Sequence, residues 1–226
     1  MTPPQKTRPP KKILIVDDHP MIREGLAQWI GHDPGLEVCG GAGDAPEALE
    51  KIAALKPDLV LTDITLPGKS GLELIKDIQA QHPRALVLVL SMHDETLYAE
   101  RVLRAGGRGY IMKEEGGKKI AQAIRQVLDG QIYVSEKMSA KILEVFSGHG
   151  ADVAASPVEK LTDREFEVFQ LIGQGLEIKP MAEKLHLSPR TIEVHRANIK
   201  AKLNLNSVAA LIGYAVRWAE SQNTGA

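Results

Sequence analysis

Between Lys11 and Gly130, short apolar runs alternate with amphipathic stretches. The apolar runs are rich in β-branched residues, and "KILIV" in the first of them is typical of a strand that is buried on both faces. Five such runs predict strands at 12–16, 36–40, 58–63, 85–91 and 107–113. Five stretches with apolar residues at helical spacing predict helices at 21–30, 45–55, 71–81, 95–106 and 118–130. The alternation predicts an α/β fold with a five-stranded parallel sheet.

The alternation stops at Gly130, and only helical patterns follow. One amphipathic stretch predicts a helix at 136–146, and the small, polar "SGHGADVAASP" after it is typical of a flexible linker. Four more helices are predicted, at 162–173, 180–186, 189–202 and 206–219. The proline-rich N-terminus is expected to be disordered. The predicted organisation is a disordered tail (1–10), an α/β domain (11–130), a linker with one helix (131–158) and a small all-α domain (159–226).

The composition of the 226-residue chain excludes several classes of protein. A formal net charge of −1 gives no overall field that would favour nucleic acid or a membrane surface. The single cysteine, Cys39, excludes an intramolecular disulfide and a Cys-rich zinc site, and it fits a reducing compartment. No apolar run approaches the ~20 residues of a membrane helix, and the N-terminus lacks the apolar core of a secretory signal. We therefore expect a cytoplasmic protein with no membrane partner.

Polar side chains follow four of the predicted strands. Asp17 and Asp18 follow the first strand and Asp63 ends the third, while Ser91 and Lys113 end the fourth and fifth. Ligands of parallel α/β sheets bind beyond the carboxyl ends of the strands. If these strands are neighbours, three carboxylates converge there with a hydroxyl and an ammonium group.

Three carboxylates in one pocket repel each other unless a positive charge neutralises them. Hard oxygen ligands suit Mg²⁺, which binds through one or two carboxylates and completes its shell with water and phosphate oxygens. We expect Asp18 and Asp63 to bind the metal, and Asp17 to act more remotely through water. A carboxylate can be the nucleophile in phosphoryl transfer, and the open turn after Asp63 makes it the best candidate. The metal and Lys113 would offset the charge of the phosphoryl oxygens.

The last third of the chain has the pattern of a helix-turn-helix. Thr162 and Glu165 have the spacing of a capping box, and Ser188 with Pro189 marks the start of a later helix. That helix, at 189–202, carries four basic residues and one acidic residue, although residues 151–226 as a whole are neutral. A basic second helix after a tight turn is typical of DNA-binding proteins. A solvated basic helix in a small bundle is the alternative that the pattern leaves open.

The positions of the basic helix separate by face. Its inward face is expected to consist of Ile192, Ile199 and Leu203. Base edges in a major groove would be reached by Glu193, Val194 and Ala197. The remaining expected DNA contacts, chiefly to phosphates, come from Arg190, Thr191, Arg196, Lys200 and Lys202. On the last helix, an apolar face that includes Ala209, Ile212 and Val216 predicts a homodimer on double-stranded DNA, with core packing as the alternative.

Residues 11–128 resemble the receiver domain of bacterial two-component response regulators. The segments "ILIVDDHPMIREGL" and "LSMHD…RAGGRGYIMKE" carry the resemblance. The whole chain resembles the NarL/FixJ class, in which a LuxR-type helix-turn-helix follows the receiver. The resemblance implies a flavodoxin-like receiver fold and a function in transcription regulation, with promoter DNA as partner.

The resemblance also implies a role for each pocket residue. Asp63 would be phosphorylated by a cognate histidine kinase or by small phosphodonors. Its acidic pocket would hold Mg²⁺ through Asp17, Asp18, Asp63 and the backbone carbonyl of Thr65. Lys113 would pair with the phosphate. Ser91 and Tyr110 would form a switch pair, in which the hydroxyl moves to a phosphoryl oxygen and the ring follows inward. No residue is expected to be catalytic in the sense of an enzyme.

Two other functions remain open at this point. A Mg²⁺-dependent phosphohydrolase with an aspartyl nucleophile would need an acid–base carboxylate two residues beyond Asp63, and Thr65 stands there instead. A DNA-binding protein that needs no phosphorylation would have the same sequence features. Those features favour a phosphorylation-controlled regulator and leave promoter binding without phosphorylation to experiment.

Overall fold

The computed structural model describes residues 9–146 and 157–223. Residues 1–8 of the predicted tail and residues 147–156 of the predicted linker lie outside the described residues. The chain divides into two compact units, one up to Val145 and one from Phe146 onward. The helix predicted at 136–146 therefore belongs almost entirely to the first unit.

The first unit is built on a five-stranded sheet with the strand order β2-β1-β3-β4-β5. All four strand pairs are parallel, so every strand ends at the same edge. The strands are β1 (Lys11–Val16), β2 (Leu36–Ala42), β3 (Leu59–Thr62), β4 (Leu86–Ser91) and β5 (Gly109–Met112). The predicted parallel sheet is confirmed, and β3 lies at its centre.

Within residues 9–146, the first unit has six α-helices. They are α1 (Pro20–Gly31), α2 (Ala45–Leu55), α3 (Gly71–Gln81), α4 (Glu95–Arg104), α5 (Gly116–Leu128) and α6 (Glu136–Phe146). A core of buried aliphatic side chains from β1, β3 and β4 packs against α1 and α5 on one face of the sheet. Residues of β3 are fully buried because helices cover the sheet on both sides.

The second unit contains only helices among its described residues: a short 3₁₀ turn (Pro157–Lys160), α7 (Asp163–Gly173), α8 (Ile178–Lys184), α9 (Pro189–Lys202) and α10 (Val208–Asn223). Its core includes the ring of Phe169, whose centroid lies 5.4 Å from that of Trp218 on α10. Ile192 and Ile199 of α9 are fully buried, as predicted, and Leu203 is partly buried. The small all-α domain predicted from the sequence is confirmed.

Capping groups account for several element boundaries. The predicted capping box of Thr162 and Glu165 is present at the start of α7, and Ser188 caps α9. The helix predicted at 206–219 begins at Val208 because the Ser207 hydroxyl accepts the N–H of Ala210. Similarly, α8 begins at Ile178 rather than 180, since a proline in the first turn removes no helical hydrogen bond.

Gly71 permits the close return of the chain onto Asp63. A Cβ at this position would lie 2.0 Å from the Asp63 carbonyl oxygen. We expect Gly71→Ala to lower the free energy of unfolding by about 1–3 kcal/mol, as overpacking does. Urea unfolding followed by Trp29 fluorescence, with Trp218→Phe in the background, measures the first unit alone.

Gly25→Ala is the matched control, because a Cβ at Gly25 meets nothing within 4 Å. Gly25 lies inside α1, where alanine is preferred to glycine by roughly 0.5–1 kcal/mol, so this variant should be slightly more stable. If the two variants are equally stable, the close approach of Gly71 to the Asp63 backbone does not limit the residue at this position.

Candidate phosphorylation pocket and DNA-binding helix

Asp63 is the first residue after β3, at the edge where the strands end. Its N–H donates to the carbonyl of Val16 over 2.9 Å, which extends the pairing of β3 with β1 by one residue. Its Oδ1 accepts the backbone N–H of Ile64 at 2.6 Å. The residue is 8% exposed, so its side chain faces a pocket rather than open solvent. The strand itself therefore places this carboxylate.

Lys113 bridges two of the predicted carboxylates. Its Nζ donates to Asp17 Oδ2 and to Asp63 Oδ2, each over 2.6 Å. Burial alone would lower the pKa of Lys113, but the charge of Asp63 and the hydrogen bonds that the ammonium donates to both carboxylates raise it above its ordinary range. The lysine is therefore a fixed cation, and the predicted convergence of these three residues occurs.

Asp18 lies beside His19 at the rim of the same pocket. His19 Nδ1 is 2.7 Å from Asp18 Oδ1 and 3.3 Å from Asp17 Oδ1. Ligand atoms of these three residues lie within 4.8 Å of one another, the arrangement of a group that could hold a metal ion. Their carboxylate oxygens are the hard donors that Mg²⁺ prefers. The acidic pocket therefore fits a Mg²⁺ ion.

The hydroxyl of Ser91 already contacts Asp63. Ser91 ends β4, and its Oγ donates to Asp63 Oδ1 over 2.7 Å. Tyr110 is fully buried, and its hydroxyl donates to the carbonyl of His93 over 2.7 Å. Burial raises the pKa of the Tyr110 phenol well above its ordinary range, so the group stays a neutral donor. The two predicted switch residues thus lie inward together.

Thr65 lies two residues after Asp63, and its side chain makes a contact beside the pocket. Its Oγ1 lies 3.0 Å from Nε2 of His93, within hydrogen-bond distance. This contact links the loop after β3 to the loop after β4. The sequence analysis did not assign His93 to the pocket. The only sign of such a role in the sequence was its position two residues after Ser91.

A second contact that the sequence did not reveal holds the end of β1. The guanidinium of Arg23 on α1 donates to the Asp17 carbonyl over 2.5 Å. Arg23 lies six residues after Asp17, on the next element of the chain. In the sequence, only the presence of a basic residue near the start of α1 pointed to this contact. A basic residue at that position has many possible roles, so the contact could not be predicted.

The predicted base-reading face of α9 is exposed. Val194 is 52% exposed, and Glu193 and Ala197 are exposed beside it. Arg190 is exposed as well, while Thr191, Arg196 and Lys200 are partly buried. The face of α9 opposite its buried isoleucines is therefore open to a partner.

Lys202 differs from the other basic residues of α9. Its Nζ donates to Glu165 Oε2 over 2.6 Å, which ties the end of α9 to the start of α7. Burial would raise the pKa of Glu165, but hydrogen bonds from Lys202 and the Thr162 backbone lower it below its ordinary range. The ammonium group of Lys202 thus has a structural partner, and its predicted contact with DNA stays a prediction.

The last helix leaves an apolar stripe uncovered in the single chain. Val208 and Ile212 are 42% and 43% exposed, and Ala209 between them is exposed too. Val216 is partly buried, whereas Leu211 and Ala215 face the core. Both sides of α10 are therefore apolar. One side packs in the core of the second unit, and the other is exposed and could pair two copies of the chain.

The two units match two different family models. The model of the response regulator receiver domain matches residues 13–125, and that of the bacterial regulatory proteins of the luxR family matches residues 159–215. The oxygen regulatory protein NreC of Staphylococcus haemolyticus is 36% identical over 210 residues, which is 91% of this chain and 97% of that protein. The chain belongs to the NarL/FixJ-type response regulators. It is thus a DNA-binding two-component response regulator.

Solved structures of response regulators have the same architecture. A LuxR-family two-component response regulator from an Aurantimonas species is 34% identical with a TM-score of 0.57, over 61% of this chain and 99% of that one. RcsB of Salmonella enterica serovar Typhimurium, solved on promoter rprA with the phosphomimetic BeF₃⁻, is 24% identical with a TM-score of 0.60. That match covers 92% of this chain and 98% of RcsB, and it shows the fold.

Two general properties of the family apply to the two units. Receiver domains generally bind Mg²⁺ at an acidic pocket, and the cluster of Asp17, Asp18 and His19 lies in such a pocket. Members with a LuxR-type domain are DNA-binding regulators rather than typical enzymes. Within the part of the chain that the structure describes, no helix combines the length and apolar character needed to span a membrane.

The bridge made by Lys113 can be tested through stability. Lys113→Met would leave two buried carboxylates facing each other, so we expect a loss of about 3 kcal/mol in the free energy of unfolding without Mg²⁺. Addition of Mg²⁺ should recover part of the loss, because the ion replaces the missing cation. Urea unfolding followed by Trp29 fluorescence in the Trp218→Phe background measures both effects.

Lys119→Met provides the matched control. Lys119 is exposed and pairs with Glu115 one turn earlier on the same surface. Such exposed pairs contribute about 0.5 kcal/mol or less, and their loss should not depend on Mg²⁺. The interpretation of Lys113 as a structural cation fails if the two variants behave alike.

Proposed function

We propose that Asp63 is the phosphorylation site and that its phosphorylation by a histidine kinase controls dimerisation and promoter binding. The observation that carries the proposal is the contact set of the Asp63 carboxylate. One oxygen accepts from the Ser91 hydroxyl and the other from the Lys113 ammonium, in a pocket that Asp17 and Asp18 complete. A hydroxyl donor, a fixed cation and further carboxylates are the groups that aspartyl-phosphate chemistry requires.

The reaction moves a phosphoryl group from nitrogen to oxygen. One oxygen of Asp63 attacks the phosphorus of a phosphohistidine, the P–N bond breaks as the O–P bond forms, and the histidine nitrogen keeps the electron pair. Lys113 lies beside the phosphoryl oxygens and offsets their charge. Mg²⁺, bound by Asp18, Asp63 and the Thr65 carbonyl with Asp17 acting through water, would supply further charge neutralisation.

Ser91 and Tyr110 would respond to the new phosphate. A phosphoryl group adds charge of about −1.5 to −2 and three strong acceptors, so the Ser91 hydroxyl turns from the carboxylate to a phosphoryl oxygen. Tyr110 is packed inward in the same region, with its hydroxyl on the loop that follows Ser91. Phosphorylation therefore favours the inward arrangement over alternatives in which the ring lies outside.

The same residues argue against an enzyme. Turnover of a phosphate ester would need a general acid or base near the leaving group, and Thr65 occupies the position where a hydrolase would carry a carboxylate. Its hydroxyl is engaged with His93 Nε2. We propose that the aspartyl-phosphate is a signal and that no residue of the pocket acts as an enzymatic acid–base group.

The second unit supplies the output of the signal. We propose that α9 enters the major groove with Glu193, Val194 and Ala197 toward the bases, and that Arg190, Thr191, Arg196 and Lys200 contact phosphates. The exposed stripe of Val208, Ala209 and Ile212 on α10 would pair two copies. One RcsB structure contains two dimers bound to two parallel DNAs. For this chain we propose a homodimer on promoter DNA.

Promoter binding with and without acetyl phosphate and Mg²⁺ tests the proposal. We expect about tenfold tighter binding by the phosphorylated protein, within the usual range of allosteric coupling. Asp63→Asn, which keeps the shape of the side chain but loses the nucleophile, should show no response. Asp129→Asn, at the exposed end of α5, should respond like the native protein. Equal binding under all conditions would show instead a DNA-binding protein that needs no phosphorylation.

Lys200 and Lys202 distinguish phosphate contacts from structural contacts. Lys200→Ala should weaken binding to all sequences and reduce the slope of log K against log salt by about one. Lys202→Ala should mainly lower the stability of the second unit, because it leaves the nearly buried carboxylate of Glu165 without its cation. Salt titrations of DNA affinity, together with urea unfolding followed by Trp218 fluorescence, separate the two effects; a larger salt effect for Lys202→Ala would reverse the assignment.

A further inference from the structure

The chain returns to the edge of the sheet after α5. Residues 131–135, which we call the edge strap, run beside β5 and form a parallel bridge between Gly109 and Tyr133. The N–H of Tyr110 donates to the Tyr133 carbonyl over 2.8 Å, and the N–H of Tyr133 donates to the Arg108 carbonyl over 3.0 Å. The strap is thus hydrogen-bonded to the strand that carries Tyr110.

A buried carboxylate holds the other end of the edge strap. Glu95, the first residue of α4, is 8% exposed, and its carboxylate accepts the N–H of Ser135 over 2.7 Å. A charged acceptor in a buried position makes a stronger hydrogen bond than a neutral one, and its loss is costly. Glu95 therefore joins the start of α4 to the end of the strap.

Ser135 is also the residue from which α6 begins. Its hydroxyl accepts the N–H of Met138 at 3.1 Å, and its carbonyl accepts the N–H of Ser139 at 2.9 Å. These are the contacts of a residue that caps a helix. The bond from Glu95 thus fixes the starting point of α6, the last helix before the second unit.

The phosphorylation pocket reaches this contact by two short routes. Ser91, bonded to Asp63, lies four residues before Glu95 on the same loop. Tyr110 contacts that loop through its hydroxyl at His93 and contacts the strap through its backbone N–H. A change at Asp63 that moves the loop or β5 would therefore act on the strap at Tyr133 and at Ser135.

We propose that the Glu95–Ser135 hydrogen bond couples the state of Asp63 to α6. The inference rests on the proposed phosphorylation of Asp63. The bond coexists with the inward arrangement of Ser91 and Tyr110, the arrangement that a phosphoryl group favours. Phosphorylation therefore strengthens the bond and the start of α6, and by reciprocity the bond strengthens binding at the pocket.

Hydrogen exchange of the full chain, with and without Mg²⁺ and beryllofluoride, measures the coupling. In the native protein, beryllofluoride should slow exchange of the amides of residues 133–139 by about fivefold or more. In Glu95→Ala, exchange there should be fast in both conditions, and beryllofluoride should bind about fivefold more weakly. Fluorine NMR of the bound beryllofluoride gives its affinity and shows that the first unit is folded.

Further variants separate coupling from general damage. Glu95→Asp keeps the charge but is too short to reach Ser135, so it should behave like Glu95→Ala. Glu95→Gln keeps an oxygen acceptor of the same reach and should retain most of the coupling. Ser135→Ala keeps the backbone donor and loses only the hydroxyl cap, so it should loosen α6 without changing beryllofluoride affinity.

Either of two results overturns the coupling alone, and a third overturns it together with the proposed function. If beryllofluoride binds the native protein but leaves residues 133–139 unchanged, or if Glu95→Asp keeps the response, the coupling through Glu95 is wrong and the role of Asp63 stands. If beryllofluoride does not bind the native protein in the presence of Mg²⁺, the proposed function fails and the coupling fails with it.

Discussion

The ammonium group of Lys113 lies between two buried carboxylates, and the strand order of the first unit places it there. Asp17 follows β1 and Asp63 follows β3, while Lys113 follows β5, with β4 between it and β3. A lysine side chain is long enough to cross the end of β4, where a short side chain, Ser91, leaves the space open. Without a cation the two carboxylates would repel in a low-dielectric pocket. The strand order, the lengths of these side chains and the burial of the pocket therefore depend on one another.

Sequence patterns predicted the sheet and the members of the pocket because strand ends of a parallel sheet meet at one edge. Once five parallel strands were assigned, Asp17, Asp63 and Lys113 were expected to converge if their strands were neighbours. The flavodoxin-like fold implied by the resemblance to receiver domains supplied the strand order. Contacts that depend on side-chain reach between distant elements were not predictable. The bond between Glu95 and Ser135 spans forty residues, and that between Lys202 and Glu165 spans thirty-seven. Hydrophobic periodicity predicts which face of a helix or strand a residue occupies. It does not predict which residue the end of a long side chain contacts.

Glu165 shows how stability and recognition share residues in the second unit. Its carboxylate accepts the backbone N–H of Thr162 at the start of α7 and the ammonium of Lys202 at the end of α9. One acidic side chain thus caps a core helix and holds the exposed basic helix at a set angle to it. The charge of α9 that faces outward is accordingly smaller than a count of its basic residues suggests.

The edge strap has a consequence for solubility. β5 is the last strand of the sheet, and an uncovered last strand offers free backbone groups to strands of other molecules. Tyr133 of the strap occupies two of those groups, the N–H of Tyr110 and the carbonyl of Arg108. The approach is close enough that a Cβ on Gly109 would lie 2.5 Å from the Tyr133 carbonyl oxygen. A side chain at Gly109 would push the strap away and leave β5 as a template for intermolecular pairing. The absence of a side chain at Gly109 thus keeps this edge of the sheet covered against pairing with other molecules.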